Sequence, residues 1–337
     1  MPRFTLGTFN LYNLILPGET LYESPGDDDV IFAEKGAWIR SLLDEMQADI
    51  VGFQEVFHGQ ALRQALDGSF ANVVVREDKL ETLATPNVAL ATSFPVIEQK
   101  YHEEVPVNAR LDFAEVNLGI SHFSRPVLEV KLDVFGVDTC VFVAHLKSKR
   151  GVFPDDANFY DPLERAKAEA RSLILRAQDA AGLRALIVAS VREHSLPVIA
   201  MGDFNDDETS VTTRMVSGNP PFSRPPNMKH RKLGEALLYD VQELQRRHRL
   251  APCYSHIHDG RFETLDHILV SEEFLSTAKN SLGEVEWVRV LNDHLLGNAQ
   301  VIEPGTPRHQ SDHGPVVASI FLPEQNDDKD ESKETSP

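Results

Sequence analysis

Apolar residues fall in short runs along this chain, and most runs stop at a polar residue. Phe4 to Phe9 reads as a short strand. Trp38, Ile39, Leu42, Leu43 and Met46 recur at helical spacing, which predicts an amphipathic helix over Ala33 to Gln47. Ile50 to Phe53 follows as a buried strand, with further strands at Val73 to Val75 and Val88 to Ala91. Val127 to Phe135 and Asp138 to His145 predict a hairpin around Gly136-Val137. Glu164 to Glu193, rich in Ala, Leu and Arg, predicts a long helix with a break expected near Gly182. Pro197 to Met201, Thr264 to Val270, Glu284 to Val290 and Gly314 to Leu322 are the remaining strands. Many strands with few helices between them point to two packed sheets with helices outside. Ile15 to Ile31, Gly151 to Asp161 and Asp206 to Lys232 read as long loops, the kind of segment that often carries function.

The polar residues at which the strands stop form a series. The first strand ends at Asn10, the second at Gln54-Glu55, and Val141 to Ala144 at His145. Val198 to Met201 runs into Gly202-Asp203-Phe204-Asn205, where the glycine permits a tight turn. Asp266 opens the run Ile268 to Val270, and Ser311-Asp312-His313 precedes the last strand. Open sheets gather strand ends in one crevice, so these groups can converge. Singly, each has a plain structural explanation as a turn, cap or helix start. His267 alternates with Asp266 and is expected to face the opposite side, as a core or second-layer histidine. His256 and His258 share a face if their segment is extended, placed either to meet substrate or a second metal, or simply exposed.

Charge narrows the chemistry. The 337 residues carry a formal charge of −19, which argues against a broad salt-driven coating of nucleic acid. Against that background Thr209 to Gly234 holds Arg214, Arg224, Lys229, Arg231 and Lys232 and no acid, directly after the Asp203/Asn205 motif. It reads equally as a wall for a polyanion or as a solvated proline-rich loop. Lys147, Lys149 and Arg150 add positive potential behind His145. Residues 324–337 hold six acids and two lysines without a large apolar residue, and are expected to be a disordered acidic tail after a single domain over 1–323. No apolar run is long enough to span a membrane, no signal peptide is read at the start, and two distant cysteines, Cys140 and Cys253, do not make a disulfide scaffold. A cytoplasmic location is the expectation.

The segments TFNLYNL, DIVGFQEV, VAHLKSK, MGDFND, TLDHILVS and SDHGPV, running from residue 8 to residue 316, resemble the motif series of the endonuclease/exonuclease/phosphatase superfamily. The resemblance implies a four-layer α-β-β-α sandwich, an α/β (α+β) fold with two mixed sheets face to face. It implies a Mg²⁺- or Mn²⁺-dependent phosphoric ester hydrolase, with Glu55 as first metal ligand, Asn10 beside it and Asp312 as a further carboxylate. By the same resemblance Asp203 activates or orients the attacking water, Asn205 holds a phosphate oxygen, His145 donates to a phosphate oxygen or the leaving group, His313 contacts the scissile phosphate or acts as acid or base, and Asp266 orients His313. Arg125 and Lys147 are expected to bind substrate, with Arg224, Lys229 and Arg231 of the basic segment. Abasic-site endonucleases tend to carry tyrosine where His145 stands, which tilts the reading away from that branch. The compact layout looks bacterial. A nuclease acting on DNA or RNA is the leading expectation, a phosphatase or phosphodiesterase on a small or lipid phosphate ester the alternative; no membrane anchor is seen and no protein partner is implied.

Overall fold

The structure is a computed structural model describing residues 2–21, 24–76, 85–113, 116–194, 196–220, 236–245, 253–299 and 309–323. The first sheet starts from β1 (Arg3–Leu14), which is followed in sequence by a minimal ribbon of β2 (Thr20–Leu21) and β3 (Ser24–Pro25). β4 (Ile50–Val56), β5 (Asn72–Val74) and β6 (Asn87–Thr92) join it. The second sheet uses β7 (Val96–Glu104), and after the two-residue pair β8 (Asp112–Phe113) and β9 (Val116–Asn117) it adds β10 (His122–Val134) and β11 (Val137–His145). β12 (Val198–Asp203) and β13 (Leu238–Asp240) follow, then the small hairpin β14 (His256–His258) and β15 (Arg261–Glu263), then β16 (Asp266–Ser271). β17 (Glu284–Val290) and β18 (Val316–Phe321) return to the first sheet. The strand orders are β17-β18-β1-β4-β6-β5 and β13-β16-β12-β11-β10-β7. Each sheet has one parallel pair at its centre, β1 with β4 and β11 with β12, among antiparallel neighbours.

Three apolar clusters separate four layers. Leu6, Ile50, Leu90, Val130, Val143 and Ile268 fill the space between the sheets. Ile39 and Met46 of α1 (Asp29–Met46), with Leu62 of α2 (Gly59–Leu66), cover Phe9, Phe53 and Val317 on one outer face. Leu183 and Ile187 of α3 (Pro162–His194) cover Phe142, Ala200 and Leu269 on the other. This is the α-β-β-α sandwich expected from the motif series.

Several expectations shift. α1 begins four residues before the expected start, because Asp28 caps it by accepting the Ile31 N–H at 2.9 Å. α3 is unbroken at Gly182, since a Cβ there would stand 2.6 Å from the Phe123 ring; the glycine lets the helix lie close to β10. The segment from Asp206 to Lys232, expected as one loop, contains α4 (Val211–Ser217), capped by Ser210. Of its basic residues only Arg214 is among the described residues; Arg224, Lys229, Arg231 and Lys232 lie outside them, as does the tail 324–337. The pattern did not reveal β7, α2, β13, the β14–β15 hairpin, α5 (Val241–Gln245) or α6 (Asp293–Ala299).

Candidate active site

Strand register assembles the cleft. In the second sheet His145 pairs with Asp203, and Asp203 pairs with Asp266, so three neighbouring strands present three polar side chains in one row. In the first sheet Asn10 pairs with Gln54, one residue before Glu55. β1 then bulges, with Tyr12 and Asn13 at positive φ, and this turn delivers the Asn13 N–H to Glu55 Oε2 at 2.9 Å. Gly202 has φ +142, and a Cβ on it would lie 1.9 Å from the Ala144 carbonyl oxygen, so β12 approaches β11 at a spacing no side chain permits.

Asp203 lies at the centre and is buried. Its Oδ1 accepts the Asn205 N–H at 2.8 Å, while Oδ2 accepts Asn10 Nδ2 at 3.1 Å. His145 Nε2 stands 3.3 Å and His313 Nε2 3.9 Å from the same Oδ2. Burial raises the Asp203 carboxyl, against the opposing charge of His313. His313 Nδ1 is 2.7 Å from Asp266 Oδ2. Burial alone would discharge this imidazole, but the charges of Asp266 and Asp203 and the Asp266 hydrogen bond outweigh it and hold its pKa well above the usual value. Burial drives His145 the other way, helped by the cations Arg125, His313 and Lys147, so it is neutral. The cleft thus sets one imidazole whose pKa is raised and one whose pKa is lowered around one buried carboxyl group.

Two buried serines fix this arrangement. Ser255 Oγ accepts the N–H groups of Leu265 and Asp266, and Ser311 Oγ donates to the Asn10 carbonyl at 2.7 Å while accepting the His313 N–H at 3.0 Å. The second serine ties the last strand's entry to β1 just before its bulge.

Glu55 and Asp312 make the acidic side. Glu55 has φ +60, an uncommon backbone for its residue type, and its carboxyl is raised by burial and by the charge of Asp312. Two carboxylates that repel each other inside a cleft, with oxygen donors around them, fit a hard divalent cation such as Mg²⁺ or Mn²⁺. Asn10 Nδ2 is 3.5 Å from Glu55 Oε1, and its Oδ1 accepts the Tyr12 N–H at 3.0 Å, leaving one lone pair on that oxygen. Among the described residues two triplets bring potential ligand atoms within 4.8 Å of one another: His256, Asp312 and His313, and Asp203, Asp266 and His313. In the second triplet a 2.7 Å hydrogen bond already joins His313 Nδ1 to Asp266 Oδ2.

The structure also places the basic candidates. Arg125 donates from Nη1 to the Leu146 carbonyl at 3.0 Å, its Nε is buried without a partner, and it forms no ion pair among the described residues. Asn205 Nδ2 donates to the same carbonyl at 3.1 Å. Lys147 instead curls back, its Nζ donating to the Ser148 and Arg150 carbonyls at 3.2 and 3.1 Å; burial lowers its pKa to about 8. His267 is buried as expected, between Asp240 Oδ2 at 2.7 Å and the Asp206 carbonyl at 2.8 Å. His256 is on an extended strand, with its ring centroid 4.8 Å from that of His313.

Sequence reasoning missed the supports behind the site. Asp179 of α3 accepts the N–H groups of Ser124, beside Arg125 on β10, and of Lys147, two residues past His145 at the end of β11, both at 2.9 Å. Burial nevertheless pushes its carboxyl up to about 6. Arg176, one turn earlier, donates to Asp206 at 3.1 Å and to the Lys147 carbonyl at 3.2 Å. Polar residues three apart in an otherwise apolar helical stripe were the available signal.

Paired carboxylates and imidazoles thus meet in one cleft where strands of the two sheets end. The sequence profile of the Endonuclease/Exonuclease/phosphatase family matches residues 7–313, and the chain belongs to that family. A comparison with curated proteins finds no sequence match. Truncated Caenorhabditis elegans TDP2 is similar in structure, with TM-score 0.56 and 14% identity over 95% of this chain and 98% of that one. The human Nocturnin catalytic domain with bound sulfate anion gives 0.55 and 16% over 95% of each chain. The mannosyl-6-phosphatase of Bacteroides thetaiotaomicron gives 0.53 and 17%, over 95% and 100%. At these identities the likeness shows the fold.

Proposed function

We propose that this chain is a divalent-metal-dependent phosphodiesterase that cleaves DNA or RNA by in-line attack of water. The observation that carries the reading is the convergence on Asp203 Oδ2, where Asn10, His145 and His313 all lie within 3.9 Å while Asp266 holds His313 from behind. Asp203, raised by burial, takes the proton of the attacking water. Asn10 and the Asn205 N–H orient its carboxylate. His313, kept charged by Asp266, donates from Nε2 to a phosphate oxygen as negative charge builds there. His145, neutral, and Asn205 reach other phosphate oxygens, and the unpartnered Arg125 Nε is a further donor. Glu55 and Asp312, with Asn10 beside them, would hold Mg²⁺ or Mn²⁺, which would supply Lewis-acid stabilisation of the oxygen charge; the P–O bond opposite the attacking water breaks, and the ester oxygen that leaves takes its proton from solvent.

The test is hydrolysis of single- and double-stranded DNA, RNA, bis-p-nitrophenyl phosphate and p-nitrophenyl phosphate, with Mg²⁺, Mn²⁺ or EDTA. Cleavage of a polynucleotide that needs the cation and drops by roughly 10³ or more in Asp203→Asn is expected. Metal-dependent release from the monoester alone would reassign the protein to phosphatase chemistry.

A further inference from the structure

Beside the reacting centre lies a groove of about 790 Å³, between the first half of α3 and the β14–β15 hairpin. That volume suits a nucleotide-sized ligand. Its charged lining is four cations, Lys149, Arg165, Arg176 and Arg261, against Glu169, Asp259 and Glu263, a positive balance in a chain of −19. Two of those cations are engaged. Lys149 Nζ is 2.7 Å from Glu263 Oε1, and Arg176 Nε is 3.1 Å from Asp206 Oδ2. Arg165 on α3 and Arg261 on the hairpin are exposed, and neither side chain makes an ion pair or hydrogen bond among the described residues. Leu173, 49% exposed, lies on the same helix wall and gives the groove an apolar surface.

A row of rings connects this groove to the centre. The His313 and His256 rings lie 4.8 Å apart, and the His256 and His258 rings 6.0 Å apart and stacked. His258 lines the groove, and Glu263, another wall residue, is 3.6 Å from His256 Nδ1. A chain leaving the scissile phosphate along this row passes two ring faces, then meets two unengaged guanidiniums.

We propose that the groove holds the nucleotide unit next to the scissile phosphate, with the following phosphate gripped between Arg165 and Arg261 and the nucleoside lying along the Leu173 wall. Guanidinium forks match phosphate oxygens and are weakly hydrated, which suits two arginines from opposite walls. The groove therefore selects substrates with at least two phosphates one nucleoside apart. A sugar monophosphate would end at the reacting centre and leave the groove unused. The inference rests on the phosphodiesterase reading above.

The test compares the full chain with its Arg165→Ala/Arg261→Ala variant on a dinucleotide with no terminal phosphate and on the same dinucleotide bearing a 5′- or a 3′-phosphate. For the wild type, one terminal phosphate should lower KM by about tenfold. In the variant that preference, a ratio taken within each protein, should fall to about one. A wild type indifferent to both terminal phosphates, or a variant that keeps the preference, overturns the groove's role. If the wild type cleaves no diester, the phosphodiesterase reading fails by itself. Fluorescence anisotropy of a labelled 5′- or 3′-phosphorylated dinucleotide in EDTA then decides the groove. A tenfold weaker binding by the variant supports it, and equal binding or none by the wild type overturns it.

Discussion

Glu55 is a residue at which the proposed metal-binding role and the stability of the fold pull in opposite directions. Its φ of +60 and its buried carboxylate beside Asp312 both cost folding free energy, on the order of 1–3 kcal/mol for the backbone term. Glu55→Asn removes the acid and puts a residue tolerant of left-handed backbone in its place. Its melting temperature in EDTA should rise by a few degrees while turnover falls by orders of magnitude; a lower Tm would show that Glu55 is not strained. Glu55→Gln should need at least about tenfold more Mg²⁺ for half-maximal activity, and an unchanged titration would remove Glu55 from the ligand set. His267 makes the opposite contribution. Burial opposes its charge, but the hydrogen bond and charge of Asp240 prevail and raise it to about 9 from 6.5. The folded state then binds a proton more tightly than the unfolded chain, so this stability is complete below pH 6.5 and is lost as pH rises through about 9. It amounts to roughly 3 kcal/mol at most. Thermal melts of the wild type should fall across that window, and the fall should vanish in Asp240→Asn/His267→Gln. The sequence disclosed that His267 faces away from Asp266, because strand alternation requires it. It did not disclose Asp240, which lies in a three-residue strand too short to leave a pattern.

At the scale of elements, α3 does two jobs along one stripe. Its buried stripe runs Ala168, Ser172, Arg176 and Asp179, polar but for the alanine, then Leu183, Ile187 and Ser190, apolar but for the serine. The apolar half seals the sheet, while the polar half grips the ends of β10, β11 and β12. Ser172 Oγ donates to the Ser148 carbonyl, and Arg176 and Asp179 hold the loops that follow His145 and Asp203. Asp179→Ala would leave two part-buried N–H groups without their acceptor and loosen the backbone around Arg125 and His145. Such displacement costs about 10²-fold in turnover when the reacting geometry is lost. Leu183→Ala should destabilise by about 2–4 kcal/mol through its cavity and leave kcat intact. Turnover of both variants, measured well below their melting temperatures, separates positioning from mere stability; equal kcat values would make Asp179 only a structural residue. The same element shows where pattern reading stops. Gly182 argued for a break, and only the Phe123 ring packed against it explains why the helix needs a glycine and continues. β7 left no signal because its sequence VIEQKYHEE is an edge strand that packs only Val96 and Tyr101 partly against the core, without alternation. α2, eight residues long, is too short for a periodic pattern to stand out.

For the whole molecule, the site was readable because its groups end strands, and the centre of each sheet is apolar enough to mark where each strand stops. The pairing that aligns His145, Asp203 and Asp266, and the groove beside them, depend on contacts between segments far apart in sequence. Net charge acts on the same scale. A chain of −19 repels a polyanion at long range, whereas in the proposed reading Arg125 at the cleft and Arg165 and Arg261 in the adjoining groove attract it at contact. The two ranges respond differently to salt. The Debye length shrinks from about 30 Å at 0.01 M to about 10 Å at 0.1 M, so added salt first screens the distant repulsion and only later weakens contact pairs. For a polynucleotide substrate kcat/KM should therefore rise and then fall as salt is added. Ending the chain at Pro323 removes six acids and two lysines, a purely long-range change if the tail touches nothing in the cleft. The truncated protein should show a higher kcat/KM at 0.01 M salt, a flatter rise, and a curve that merges with the full chain's above about 0.3 M. Curves that coincide at every salt concentration would mean the tail's charge is not felt by the substrate. A difference that persists at high salt would mean that the tail acts by contact, at short range, and not through the field.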